Sequence, residues 1–309
     1  MNGTQADIQI FKPFGEAFEL MKKILFQPFD LSKWCVIGFA AFLAGLGGSG
    51  YGFNFNTRDW QNHNSLKDGS FRTFIEQITP GWWIVIGIGV ICAVALILVC
   101  MWIGARGRFM FTDCVVRNRA AIAQPWKEYR PEGNSYFFFL LAAAGVIILA
   151  ILTLMLLIVL LAMRMEGDHG RAAVIAAVLL VVAIFPPLFI FGTLMPLVVP
   201  VMYRQRCRAW PAFRQLLNLL WRHPGVFVLY FLFSIVLGLG AILLMVMAMC
   251  LTCCIALIPY VGTVIFLPVL VVLRAFSLLF LRQFGLEYDV WNGQSPWTLA
   301  VSPPPPLPA

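Results

Sequence analysis

Trp82-Trp-Ile-Val-Ile-Gly-Ile-Gly-Val-Ile-Cys-Ala-Val-Ala-Leu-Ile-Leu-Val-Cys-Met-Trp-Ile-Gly104 contains no charged side chain and is followed at once by Ala-Arg106-Gly-Arg108. About 20 apolar residues suffice for a helix to cross a hydrocarbon core about 30 Å thick. This stretch therefore predicts a membrane span with a cationic stop at one end. Five further apolar stretches, 34–53, 136–163, 172–203, 225–250 and 261–284, repeat the pattern. Alternation over strand-length segments is absent, which argues against a barrel. The expectation is an all-α membrane bundle of six transmembrane helices forming a single domain over 1–285. A flexible Pro-rich cytoplasmic tail is expected over 286–309.

With 61% hydrophobic and 12% charged residues, the chain is far from the roughly one-quarter charged composition of soluble domains. The N-terminus carries Asp7 and shows no cleavable signal segment. Lys and Arg gather on alternate connections: 16 lie around 12–33, 106–130, 204–222 and at Arg282, and five lie on the other side. The positive-inside bias places the first set in the cytoplasm. Both termini are then cytoplasmic, as an even number of spans requires, and the expected location is the cytoplasmic (inner) membrane. The net charge of +8 calls for no nucleic acid, because anionic lipid of the inner leaflet accounts for it.

Two cytoplasmic pieces have helical amphipathicity. Over about 11–27, Phe11, Phe14, Phe18, Met21 and Leu25 share a face opposite Lys12, Glu16, Glu19 and Lys23. Over about 210–222, Trp210, Phe213, Leu216, Leu217, Leu220 and Trp221 form the stripe, with His223-Pro224-Gly225 as its stop. Both are expected to lie in the headgroup plane. A weaker middle piece keeps Pro125-Trp126 in a setting like Ala17-Phe18 and Ala212-Phe213. The pattern suggests three units, about 1–104, 105–203 and 204–285, each an interfacial helix followed by a helical hairpin.

Individual spans differ. Ala44, Gly48 and Gly52 make a small-residue stripe for close helix packing. Trp82, Trp83 and Trp102 sit where interfacial anchors belong. Pro186, Pro187, Pro196 and Pro200 interrupt the fourth span. That feature can mark a transport site but more often serves packing.

All 14 acidic residues and all three His fall outside the expected spans. Proton-coupled transport usually needs such a group inside. No phosphate loop, nucleophile triad or carboxylate pair occurs, so an enzyme is not expected. No metal or other cofactor is expected either. Cys250, Cys253 and Cys254 lack the four-ligand set of a structural zinc site and are treated as packing residues.

Arg274 is the one charge deep in a span, where it costs roughly 2.5 kcal/mol or more. It is expected either to snorkel to the cytoplasmic face or to hold a lipid phosphate or a carboxylate from Asp113, Glu128 or Asp30. The segment Arg106, Arg108, Arg117, Arg119 mixes cations with Phe109, Met110 and Phe111, which suits an anionic membrane surface as well as simple topology control. Arg274, Arg282, Arg106, Arg108, Arg117 and Arg119 are therefore the candidate lipid- or anion-binding residues.

The motifs Pro28-Phe-Asp-Leu-Ser-Lys-Trp34, Gly104-Ala-Arg-Gly-Arg-Phe-Met-Phe111, Asp113-Cys-Val-Val-Arg-Asn-Arg119 and Leu273-Arg-Ala-Phe-Ser-Leu-Leu-Phe-Leu-Arg-Gln-Phe-Gly285 resemble an uncharacterised family of bacterial six-span integral membrane proteins over roughly 8–290. More distantly, the architecture is similar to the membrane region of membrane-anchored glycerophosphodiester phosphodiesterases. Those enzymes work through a separate soluble barrel, which this chain lacks, so the resemblance implies location and fold and carries over no catalytic residue. The expected function is non-enzymatic: binding or organising anionic lipid, or scaffolding membrane-protein partners. The runner-up is a transporter or flippase for a lipid-like amphipathic substrate. A membrane-embedded lipid-modifying enzyme ranks third.

Overall fold

The computed structural model describes residues 11–46, 80–164, 169–251 and 259–291. The regular elements among them are all helical: α1 (Phe11–Phe26), α2 (Leu31–Gly45), α3 (Pro80–Val116), α4 (Ala123–Glu128), α5 (Arg130–Arg164), α6 (His169–Gln205), α7 (Ala209–Arg222), α8 (Pro224–Leu251), α9 (Pro259–Ile265) and α10 (Leu267–Arg282). Among the described residues three stretches are long and apolar enough to cross a membrane: Ile84–Val116, Arg130–Leu160 and Pro224–Ala248. Leu31–Gly45 and Phe189–Gln205 are apolar but shorter. The stretch expected over 261–284 divides into α9 and α10 at Phe266, next to Pro268, whose missing N–H leaves a gap in the helical ladder.

The helices pack in a cyclic order. Central helices α3, α6 and α10 touch one another. Each pairs with the helix that precedes it in its own unit: α2 with α3, α5 with α6, and α8 with α10 through Tyr230 stacked on Phe276 and Phe280. Each also touches the two helices that open the next unit: α3 meets α4 and α5, α6 meets α7 and α8, and α10 meets α1 and α2. The contacts thus close a ring of three similar units. Backbone conformation repeats with them, since a residue of positive φ follows each central helix: Asn118 (49°), Arg206 (52°) and Gly285 (131°). Such a residue releases the chain from the helix toward the next element.

A core of buried side chains occupies one end of this ring, over Ala105–Val116 of α3, Thr193–Tyr203 of α6 and most of α10. Beyond it, the apolar side chains of α3 from Ile84 to Val99 and of α5 from Val146 to Leu160 are largely exposed. Hydrocarbon is the solvent that makes such exposure tolerable. Close approach sets the α2–α3 pairing: a Cβ on Gly107 would lie 2.6 Å from the Ala44 nitrogen and the Leu43 carbonyl carbon. In an exposed helix Gly→Ala gains about 1 kcal/mol, but overpacking against backbone costs about 1–3 kcal/mol. Gly107→Ala is therefore expected to lower the thermal midpoint in detergent, and a rise would show that α2 yields freely. Gly48 and Gly52 of the small-residue stripe lie outside the described residues.

Three expectations are corrected. The basic segment after Gly104 is no loop: α3 continues through Arg106 and Arg108 to Val116, because protein acceptors solvate the guanidinium groups and the helix has no need to end. The tail is not free from 286 on. Residues 286–291 turn back, Trp291 is buried with its indole N–H donating to the Val116 carbonyl (3.3 Å), and Asp289 pairs with Arg282 (3.3 Å). Pro303–306 lie outside the described residues. Finally, the buried face of α1 is Pro13, Ala17, Leu20, Met21, Ile24 and Leu25, while Phe11 and Phe18 point outward, so packing on α10 uses a face rotated from the expected one.

Candidate functional site: layers of buried charge

Arg106, Arg108 and Arg274 form a deep cationic layer, each almost fully buried. Arg106 donates to the Asn134 amide oxygen (2.8 Å), and its guanidinium lies 4.1 Å from the Trp102 ring centroid and 5.1 Å from that of Trp126. Cation–π attraction of this kind strengthens when water is excluded. Trp102, expected as an interfacial anchor, also donates to Asn134 (3.1 Å) and so belongs to this cluster. Arg108 donates to the Tyr136 hydroxyl (2.6 Å), which donates onward to the Met195 sulfur (3.8 Å).

Arg274 joins the three central helices. From α10 it donates to the Thr112 hydroxyl of α3 (Nε, 2.9 Å) and to the Pro196 carbonyl of α6 (3.2 Å). The second bond has a definite cause. In a helix the carbonyl of residue 196 would accept from the N–H of residue 200, and Pro200 has none. Arg274 supplies the missing donor. The expected partners serve elsewhere: Asp30 caps α2 by accepting from the Ser32 N–H (2.9 Å), and Asp113 and Glu128 hold other cations. Snorkelling to the cytoplasmic face is not observed either, since the guanidinium is enclosed.

A second layer lies one turn further toward the ends of the central helices. Asp113, wholly buried, accepts from Arg119 (2.8 Å) and the Tyr203 hydroxyl (3.0 Å) and forms an ion pair with Arg117 (3.2 Å). Tyr203 stacks on Tyr129 at 4.9 Å, and the Arg206 guanidinium lies over the Tyr129 ring at 3.9 Å. Arg206 pairs with Glu128 and with Glu132 (3.5 Å), and Glu128 also meets Arg117 (3.3 Å). Partial burial tends to raise the Glu128 carboxyl, but the Arg206 hydrogen bond and the charges of Arg117, Arg206 and Arg119 outweigh it and hold the group below the usual carboxylate range. Three guanidinium groups thus face three carboxylates across α3, α4, α5 and α6.

Of the six residues singled out from sequence, Arg106, Arg108 and Arg274 share the deep layer, Arg117 and Arg119 share Asp113, and Arg282 stands apart with Asp289. Sequence reasoning missed Thr112, Asn134, Tyr136 and Tyr203 as their partners. One signal was available: the Pro196-x-x-x-Pro200 spacing announces a carbonyl in need of a donor. Among the described residues no group of three His, Cys, Asp or Glu side chains could hold a metal ion. Cys253 and Cys254 lie outside them.

Two further features face outward. Helix α7 buries Ala209, Ala212, Leu216 and Leu220 against the bundle, a narrower stripe than its sequence suggests. Trp210 and Trp221, 64% and 75% exposed, flank exposed Arg214 on the opposite face, and α7 contains no acidic residue. The second feature is a cleft of about 720 Å³ between α3, α5 and α6 with an almost wholly apolar lining.

No curated protein and no solved structure matches the chain. A family model does match residues 8–287, nearly the whole helical region. The chain therefore belongs to DUF7544, a family of unknown function.

Proposed function

We propose that this chain is a non-enzymatic, six-span protein of the cytoplasmic membrane, with both termini cytoplasmic, that binds and organises anionic lipid. Membrane-protein partners are compatible with the same surface. The carrying observation is the outer face of α7, where Trp210, Arg214, Asn218 and Trp221 recur at helical spacing and Arg208 and Arg222 add cations at the ends. Indole rings favour the headgroup level, and basic side chains near an anionic leaflet each contribute about 1 kcal/mol. The buried arginines shift the expected lipid surface from the α3–α4 segment to α7 and to the Phe11 and Phe18 side of α1. Six spans draw support from the closed ring, in which α2 and α10 occupy places equivalent to the longer helices.

The test is gentle purification followed by mass spectrometry of retained lipid. Anionic species should exceed their bulk-membrane proportion. Combining Trp210→Ala, Arg214→Gln and Trp221→Ala should reduce that excess about fivefold, the equivalent of about 1 kcal/mol, without changing elution. Retention in bulk proportions by the unaltered chain would sink the proposal. A second reading, a transporter or flippase for a lipid-like amphipathic substrate, draws on the cleft, which is lined in part by Pro196, the residue whose carbonyl Arg274 holds. Movement of labelled lipid between leaflets of vesicles holding the protein would favour it.

A further inference from the structure

The cleft between α3, α5 and α6 opens where those helices separate beyond the buried core. Small side chains at Ala143, Ala144 and Gly192 make the room, and Met195 and Pro196 form the floor. Its volume of about 720 Å³ falls in the range of roughly 300–1,000 Å³ typical of ligand sites. The aliphatic walls belong to helices whose neighbouring faces are exposed apolar side chains, so the medium around the cleft is hydrocarbon rather than water.

The floor gives the cleft a polarity. Met195 accepts from Tyr136, which accepts from Arg108, and the Pro196 carbonyl accepts from Arg274. Arg274 therefore stands one hydrogen bond, and Arg108 two, beneath an apolar cavity. In a low-dielectric setting their field reaches further than it would in water. Depth agrees with this polarity. Met101 on the cleft wall is five residues from Arg106, about 7.5 Å along the helix. The cationic layer thus lies at the inner end of the apolar wall, where a headgroup belongs, and the cleft runs toward the membrane centre, where a chain belongs.

We propose that this cleft seats one acyl chain of an anionic phospholipid, with the headgroup at the level of Arg106, Arg108 and Arg274. The inference rests on the anionic-lipid reading and gives it a specific seat, distinct from the face of α7.

The full chain is reconstituted into vesicles of equal parts phosphatidylglycerol and phosphatidylcholine. A trace of one lipid or the other carries a photoactivatable diazirine in mid-chain, and adducts are mapped by mass spectrometry. Phosphatidylglycerol adducts should gather on 140–147 and 191–196 and exceed phosphatidylcholine adducts there about tenfold, a preference of about 1.4 kcal/mol. Ala144→Phe should remove them while leaving labelling of exposed Val85–Val94 unchanged. Ala143→Leu replaces it should the first variant lose its elution profile. Labelling spread evenly along the exposed spans, equal labelling by both lipids, or labelling indifferent to filling the cleft would overturn the inference. Retained lipid separates the two ideas. Anionic enrichment on purification without cleft labelling removes this seat alone, whereas absence of both removes the parent reading too.

Discussion

Asp113→Ala should be the most damaging single change to the charged layers, lowering stability in detergent by about 3 kcal/mol. The carboxylate is fully buried, accepts from Arg119 and Tyr203 and pairs with Arg117. Removing one partner from a buried ion pair costs about 3–5 kcal/mol when the other charge is stranded. Arg117 and Arg119 are partly exposed, so water compensates some of their loss and the expected cost falls at the lower end. The Tyr203 hydroxyl has less recourse, since the side chain is buried between helices. Tyr203→Phe alone should cost about 1 kcal/mol. In the double variant the two losses should sum to less than their separate values, because the second change deletes the group that the first had orphaned. Thermal midpoints of the three variants measure this. Additivity within about 0.5 kcal/mol would mean that Asp113 and Tyr203 do not act as a pair.

Arg274→Met should cost about 2 kcal/mol, the balance of two opposing effects. Relief of a buried charge favours the variant, and replacement of buried ions by apolar groups of similar size is often neutral. Loss of the donor to Pro196 works against it, because Pro200 leaves that carbonyl without a helical partner. An unsatisfied buried carbonyl costs about 1–3 kcal/mol, and this effect should win. Thr112 is less affected, as its hydroxyl still donates to the Arg108 carbonyl (2.6 Å). The diagnostic is Pro200→Ala, which restores an N–H opposite the Pro196 oxygen. In that background Arg274→Met should cost about 1 kcal/mol less. An equal cost with and without Pro200 would exclude the carbonyl as the reason an arginine sits in this helix.

Where some helices lie and which are amphipathic was legible in residue order. The start of α2 at Leu31, capped by Asp30, was not foreseen, whereas the uncharged run from Trp82 marks α3, and the periodic apolar residues of 11–27 and 210–222 mark α1 and α7. Their buried stripes were legible only in part, because Phe11, Phe18, Trp210 and Trp221 are as apolar as the residues that pack and differ only in what lies beside them. Arg106 and Arg108 followed the same logic. After an uncharged span, a cationic pair ordinarily meets water. Here Asn134 and Tyr136 arrive from α5, 28 residues away, to replace it.

By itself the sequence determined that this chain is helical and that its long apolar stretches belong in hydrocarbon, since periodicity and the solvation of whole segments are local, additive properties. Tertiary structure alone decided that the three units suggested by the sequence close into a ring, and the destination of each guanidinium. A buried cation is tolerable only where acceptors from distant segments converge on it. Which carbonyl, hydroxyl or ring fills that place depends on how α3, α6 and α10 meet.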